Sequence, residues 1–185
     1  MTTILGIAGS LRRGSYNTAL LRVVTELAQA PVRIEEASIR GIPLYDGDVE
    51  TESGLPDAVR ALKERIASAD GVLLVTPEYN NSIPGPFKNA IDWCSRPPAD
   101  IPRVFGNRPV ALIGATVGPG GTGLSQAAWL PVLRALGTRP WFGRTLLVSG
   151  ASKLFDEAGR LTDDKLRERI SAFIAGFVEF ASKSR

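Results

Sequence analysis

The chain has 185 residues, 44% of them hydrophobic and 22% charged, with 22 basic and 19 acidic side chains and a net charge of +3. A single cysteine and the absence of histidine exclude an intrachain disulfide scaffold, His-ligated zinc or haem, and every catalytic triad built on imidazole. Basic residues are interspersed with acids, as in Lys165-Leu-Arg-Glu168-Arg169, and no run approaches the ~20 apolar residues of a membrane span, so neither nucleic acid nor membrane is an expected partner.

In chain order, Ile4–Ala8 is a short apolar run without polar alternation, as in a strand buried on both faces of a parallel sheet. A polar loop, Gly9–Ser15, leads to a helical segment with Leu20, Val23, Val24, Leu27 and Ala28 on one face. Val32–Ala37 alternates and reads as a weaker strand. Asp46-Gly-Asp48-Val-Glu50 begins like a calcium loop, but Thr51 stands where the sixth-position glycine belongs, so solvated acids ahead of a helix are expected. Val59, Leu62, Ile66 and Ala69 line the next helix, after Pro56. Val72–Thr76 is a strand, and Pro86 to about Cys94 a helix in which Cys94 is expected to be a buried, inert thiol. Val110–Ala115 is a strand, Leu124–Leu136 a helix closed by Gly137, and Thr145–Ser149 a strand. The last helix is expected to start after Thr162 as N-cap, with Asp163 and Asp164 in its first turn and Leu166, Ile170, Phe173, Ile174 and Phe177 on its buried face.

Strand and helix alternate five times, which predicts an α/β domain spanning residues 1–185, a parallel sheet with helices on both faces. The segment after Met1 has no basic and apolar leader pattern, and the expected location is the reducing cytoplasm. Ligands of such sheets sit beyond the carboxyl ends of the strands, where strand order reverses. That singles out the loops Gly9–Ser15, Pro77–Pro86 and Thr116–Gly123.

The first of these, with the helix start behind it, supplies Ser10, Ser15, Asn17 and Thr18 as donors and Arg12 as a cation, the needs of a phosphate at a helix N-terminus. It is no Walker loop, because Gly-Lys-Ser/Thr occurs nowhere. The third loop, Gly118-Pro-Gly120-Gly121-Thr-Gly123, fits G-x-G-x-x-G. The region some twenty residues on, Thr138–Thr145, lacks the acid that would hold a ribose, so close approach to a flat ligand is the better use of these glycines. Gly123-Leu-Ser125-Gln-Ala127 lacks the final glycine of a nucleophile elbow and any histidine to activate it. The second loop, Thr76-Pro-Glu-Tyr-Asn-Asn-Ser-Ile-Pro-Gly-Pro86, is stiffened by three prolines.

Gly9-Ser-Leu-Arg-Arg-Gly-Ser-Tyr-Asn17, Ile42-Pro-Leu-Tyr-Asp46, and Thr76-Pro-Glu-Tyr-Asn80 through Ser82, Pro84-Gly85 and Lys88-Asn-Ala-Ile-Asp-Trp93 together resemble the NAD(P)H-dependent FMN reductases, a flavodoxin-like group with bacterial quinone and chromate reductases. The resemblance implies a three-layer sandwich on a five-stranded parallel sheet in the order 2-1-3-4-5. It implies tightly bound FMN and NAD(P)H as co-substrate. Ser10, Arg12, Ser15 and Asn17 would hold the phosphate with Thr18 assisting, and Tyr16 would belong to the same cofactor site. Pro77, Glu78, Tyr79, Asn80 and Ser82 would border the isoalloxazine ring, and Thr116, Gly118 and Gly121 would approach its pyrimidine side. Lys88–Trp93 would serve helix packing or a subunit interface. Hydride would pass from the nicotinamide to flavin N5 and on to a quinone, free flavin or other small electrophile, so no side chain is expected as catalyst and no metal as cofactor. Amides of the glycine loop and of the following helix start are expected to stabilise the charge gained on reduction. A homodimer or homotetramer is implied. Two other readings stay open on the residues: a flavodoxin-type electron carrier, although such carriers are typically acidic, and a flavin-free phosphate- or nucleotide-binding module.

Overall fold

A computed structural model of the protein describes residues 1–183, so the last two of the expected 1–185 domain lie outside it. Strand β1 (Thr2–Ala8) pairs in parallel with β2 (Val32–Ser38) on one side and β3 (Gly71–Val75) on the other. Beyond β3 lies β4 (Pro109–Ala115), in register Val72 to Val110 and Val75 to Ile113. The outer edge of β4 carries two short strands, β5 (Arg139–Pro140) at its start and β6 (Leu146–Val148) at its end. The path β2-β1-β3-β4-β5 is the flavodoxin-like order. The expected strand Thr145–Ser149 is β6, and the two-residue β5 on the same edge is an addition, so the sheet has six strands where five were expected. Residues 142–145 leave the edge after Trp141, whose amide still donates to the Val110 carbonyl at 2.8 Å while its ring packs on the last helix, 4.9 Å from Phe173 and 5.8 Å from Phe177.

The apolar strands divide their side chains between two cores, as a two-faced sheet requires. Ile4, Ala8, Leu73 and Val75 face α1 (Tyr16–Leu27) and α7 (Asp164–Ser182). Leu5, Ile7, Val72 and Leu74 face α3 (Asp57–Ser68), α4 (Gly85–Cys94) and α6 (Gly123–Ala135). Each such Leu or Ile contributes about 1.5–3 kcal/mol by leaving water. Cys94 is fully buried, and burial pushes its thiol up to about 12, which makes it the inert group expected.

Two helix starts differ from the sequence expectation. The acids at 46–50 belong to a helix of their own, α2 (Gly47–Ser53): Asp46 caps it by accepting from the Asp48 amide at 2.9 Å, and Asp48 and Glu50 sit in its first turn. At α7 the N-cap is Asp163, whose Oδ1 accepts from the Leu166 amide at 2.6 Å, and Thr162 does not serve. The Thr162 hydroxyl is already donated to the Leu154 carbonyl, beside the Phe155–Leu161 bridge.

Between α4 and β4 the chain forms a 3₁₀ turn (residues 98–100) and the one-turn helix α5 (Ile101–Val104). Within α4, the Asn89 side chain donates to the Pro43 carbonyl and accepts from the Tyr45 amide, both at 2.8 Å, and the Trp93 indole donates to Pro43 at 3.0 Å. The Lys88–Trp93 stretch thus fastens the loop after β2, with Tyr45 edge-on to Trp93 at 4.8 Å.

Candidate active site

Strand order reverses at β1, where the chain crosses first to β2 and later to β3, and the loops leaving β1, β3 and β4 open at that edge. They enclose a cleft of about 170 Å³, lined by Ser10, Arg12, Ser15, Tyr16, Asn17, Pro77, Glu78, Tyr79, Ala115, Thr116 and Val117. Nine residues expected from the sequence are brought together here. Ala115 was missed because it reads as the end of a core strand, and Val117, inside the third loop, because an apolar side chain there carries no donor or charge to mark it.

The first loop is organised by Ser15, the N-cap of α1, whose Oγ accepts from the Asn17 and Thr18 amides at 3.2 and 3.3 Å. The Arg12 amide donates to Ser10 Oγ at 3.3 Å, and the Arg12 guanidinium reaches only the Gly14 carbonyl, at 3.4 Å. Among the described residues Arg12 pairs with no carboxylate, and the amides of Arg13, Gly14, Ser15 and Tyr16 donate to no protein acceptor. The first turn of α1 contains no acid, whereas α2, α3 and α7 each carry at least one there. A run of free amides, a helix start and an unpaired cation make a seat for an anion.

Asn17 has a different task from the one its type suggests. Buried at 5% exposure, it donates through Nδ2 to the Ala115 carbonyl and accepts through Oδ1 from the Ala115 amide, both at 2.9 Å. Its side chain is thereby committed to locking α1 onto the end of β4. Thr18 faces a neighbouring hollow shared with Arg13, Arg22 and Gly159.

In the second loop, Tyr79 and Ser82 exchange amide-to-carbonyl bonds of 3.1 and 3.0 Å around a tight turn. Asn80 and Asn81 occupy it with φ of 49° and 62°, the left-handed pair that Asn tolerates well. Asn80 and Ser82 stand at the exposed tip of the loop, beyond the cleft lining. At the loop's root the Thr76 hydroxyl donates to the Pro77 carbonyl at 3.0 Å, receives the Trp129 indole N–H at 3.1 Å and lies 2.9 Å from Ser125 Oγ. Ser125 is fully buried in this cluster, so the nucleophile reading fails structurally as well.

The third loop folds back on the sheet. Gly121 adopts φ +56°, and a Cβ there would stand 2.6 Å from the Leu147 side chain, so its missing side chain lets the loop close on β6. The Gly118 amide donates to Thr116 Oγ1 at 3.3 Å. The start of α6 does not offer the free amides expected of it. The Leu124 and Ser125 amides donate to Glu78 Oε2 at 2.9 and 3.0 Å, and the Gly123 and Gln126 amides to the Gly120 and Thr122 carbonyls. Glu78 is thus a helix cap supplied from across the cleft, which reading the second loop alone could not show.

An anion seat joined to a slot between two stiff loops, on a doubly wound sheet, defines a nucleotide-cofactor protein of flavodoxin-like type. The model of the NADPH-dependent FMN reductase family matches residues 2–153, and the chain belongs to that family of oxidoreductases. It is 46% identical over 167 residues to an NAD(P)H-dependent FMN reductase of Pseudomonas aeruginosa, covering 90% of this chain and 88% of that one. It is 36% identical over 185 residues to a quinone reductase of Escherichia coli K12, covering 97% and 95%. Among solved structures, the flavoenzyme NAD(P)H:(acceptor) oxidoreductase FerB of Paracoccus denitrificans superposes with a TM-score of 0.88 at 33% identity, covering 100% of this chain and 99% of that one.

Proposed function

We propose that the protein is an NAD(P)H-dependent FMN reductase whose cleft holds FMN and serves small electron acceptors, quinones first among them. The observation that carries this reading is the first loop, with its unpaired Arg12 and free amides opening directly into the slot between Pro77–Tyr79 and Ala115–Val117. FMN fits this donor set. Ser10, Ser15, Arg12 and the turn amides would hold its phosphate, and the two other loops would border its ring, with Tyr79 on the solvent side. Bound FMN supplies hydride chemistry at N5. The chain itself binds, orients and leaves one approach open to solvent, since Tyr79 is 43% and Val117 63% exposed. Quinones as acceptors follow from the relatives' names and from this open, apolar rim.

The chain is read as one FMN-binding domain. No helix among the described residues is long and apolar enough to cross a membrane. A cytoplasmic location and a homodimer or homotetramer belong to the same proposal. Its test is anaerobic mixing of the FMN-loaded protein with NADPH or NADH. The flavin absorbance should bleach in one phase and return on addition of a quinone. A protein that stays yellow with both nicotinamides would be a carrier and not a reductase.

A further inference from the structure

Glu78 lines the cleft, yet its carboxylate is anchored. Both of its hydrogen bonds, from the Leu124 and Ser125 amides, go to the single oxygen Oε2. Oε1 remains on the Gly120 side, 4.0 Å from where a Cβ on that glycine would stand. Helix α6 needs this help. Its own N-cap, Thr122, has left-handed backbone at φ 66° and its side chain caps no helix amide, and its first turn contains no acid. The cap therefore arrives from the opposite wall, 46 positions upstream of Leu124.

The charge balance at this corner bears on a site that accepts electrons. A helix start carries about half a positive unit. A carboxylate directly on it brings one negative unit, which leaves this corner about half a unit negative. We propose that Glu78 is a positioning residue that also sets the bound cofactor's potential: it ties the β3 loop to α6 and, by overcompensating the helix dipole, disfavours reduced FMN relative to oxidised FMN. The inference rests on the FMN reading above. Hydride transfer moves two electrons and one proton from the nicotinamide C4 to flavin N5, leaving the nicotinamide oxidised and an added negative charge on the flavin. A negative corner on the wall shared by the second and third loops opposes that charge, so electrons leave more readily for the acceptor.

Because one oxygen takes both amides, Glu78→Gln can keep the cap through its carbonyl oxygen, with the amide nitrogen where Oε1 stands. The charge goes and the tether stays. Glu78→Ala removes both. The experiment compares the midpoint potentials of FMN-loaded wild type and variants by anaerobic equilibration with a reference dye, alongside the Kd for oxidised FMN and the melting temperature. In Glu78→Gln the reduced-to-oxidised affinity ratio should rise about tenfold, an upward shift of about 30 mV for a two-electron couple, with the oxidised-FMN Kd close to wild type. Glu78→Ala should move the potential in the same direction, and it decides the question if the Gln variant does not fold. An unmoved or lowered potential in the folded variants would reduce Glu78 to a tether and overturn the proposal. A wild-type protein that binds no FMN would overturn the cofactor reading beneath it as well, so the two failures are distinguishable.

Discussion

Arg12 and Asn17 share one turn and do different things. Arg12 is exposed and unpaired by any acid among the described residues, so its charge is available to a ligand. Truncation to Ala should weaken FMN by about 1.5–3 kcal/mol, the size of a charge-assisted hydrogen bond, with little change in melting temperature. A fluorescence titration giving the wild-type Kd would remove Arg12 from the site. Asn17 is spent inside the fold, and Asn17→Ala should destabilise the protein by about 1–3 kcal/mol because the Ala115 amide and carbonyl lose their partner in a buried place. Urea denaturation measures it, and an unchanged midpoint would show that water or another group takes over. The sequence reveals that both residues belong to the site loop, since spacing and residue type suffice for that. It does not reveal that Asn17 points at Ala115, because that contact spans 98 positions and depends on how α1 docks.

At the scale of elements, the strands are legible because both of their faces are buried and their text is nearly all Ile, Leu and Val. The added β5 is not, since it is only two residues, Arg139–Pro140, with no such run. Helix α2 is hidden for another reason: none of its residues is buried, so no apolar period marks it, and only the Asp46 cap gives it a start. The α6 start is the most informative case. Its glycines suggest open amides, and the structure fills them from Glu78. Close approach governs this junction, for a Cβ on Gly114 would stand 2.2 Å from both the Thr76 carbonyl oxygen and Thr122 Oγ1. Gly114→Ala should therefore destabilise by about 1–3 kcal/mol and loosen FMN by spreading the second and third loops. A thermal melt and a titration check it, and a variant that matches wild type in both would show that the loops are not packed as tightly as described.

Across the whole molecule, ion pairs tie the helices on one side of the sheet together. The Arg96 guanidinium beside Glu50 holds its carboxyl below the usual range, as Lys63 does for Asp100 and Arg103 for Glu64. Lys63 is itself buried, donating to the Arg96 carbonyl and pairing with Asp100 at 2.7 Å. A carboxyl lowered on folding stabilises above its unfolded value and loses that contribution as pH falls through the folded one. Stability should thus hold from neutrality to about pH 5 and decline below it. Tyr45 acts at the other end. Its hydrogen bond to Glu50 raises the phenol, so its contribution is present below the usual value of 10.0 and is lost as pH rises through the raised one. Urea midpoints across pH check both limbs, and a midpoint that rises on acidification would contradict this account.

The central claim is that the β1–α1 turn seats a phosphate while the β3 and β4 loops clasp the attached ring system. Diffraction from crystals grown with FMN tests it most directly. The account predicts phosphate density on Ser10, Arg12, Ser15 and the turn amides, with the ring between Pro77–Tyr79 and Ala115–Val117. Density for the phosphate in the neighbouring hollow between Arg13 and Arg22, or a ring outside that slot, would contradict it.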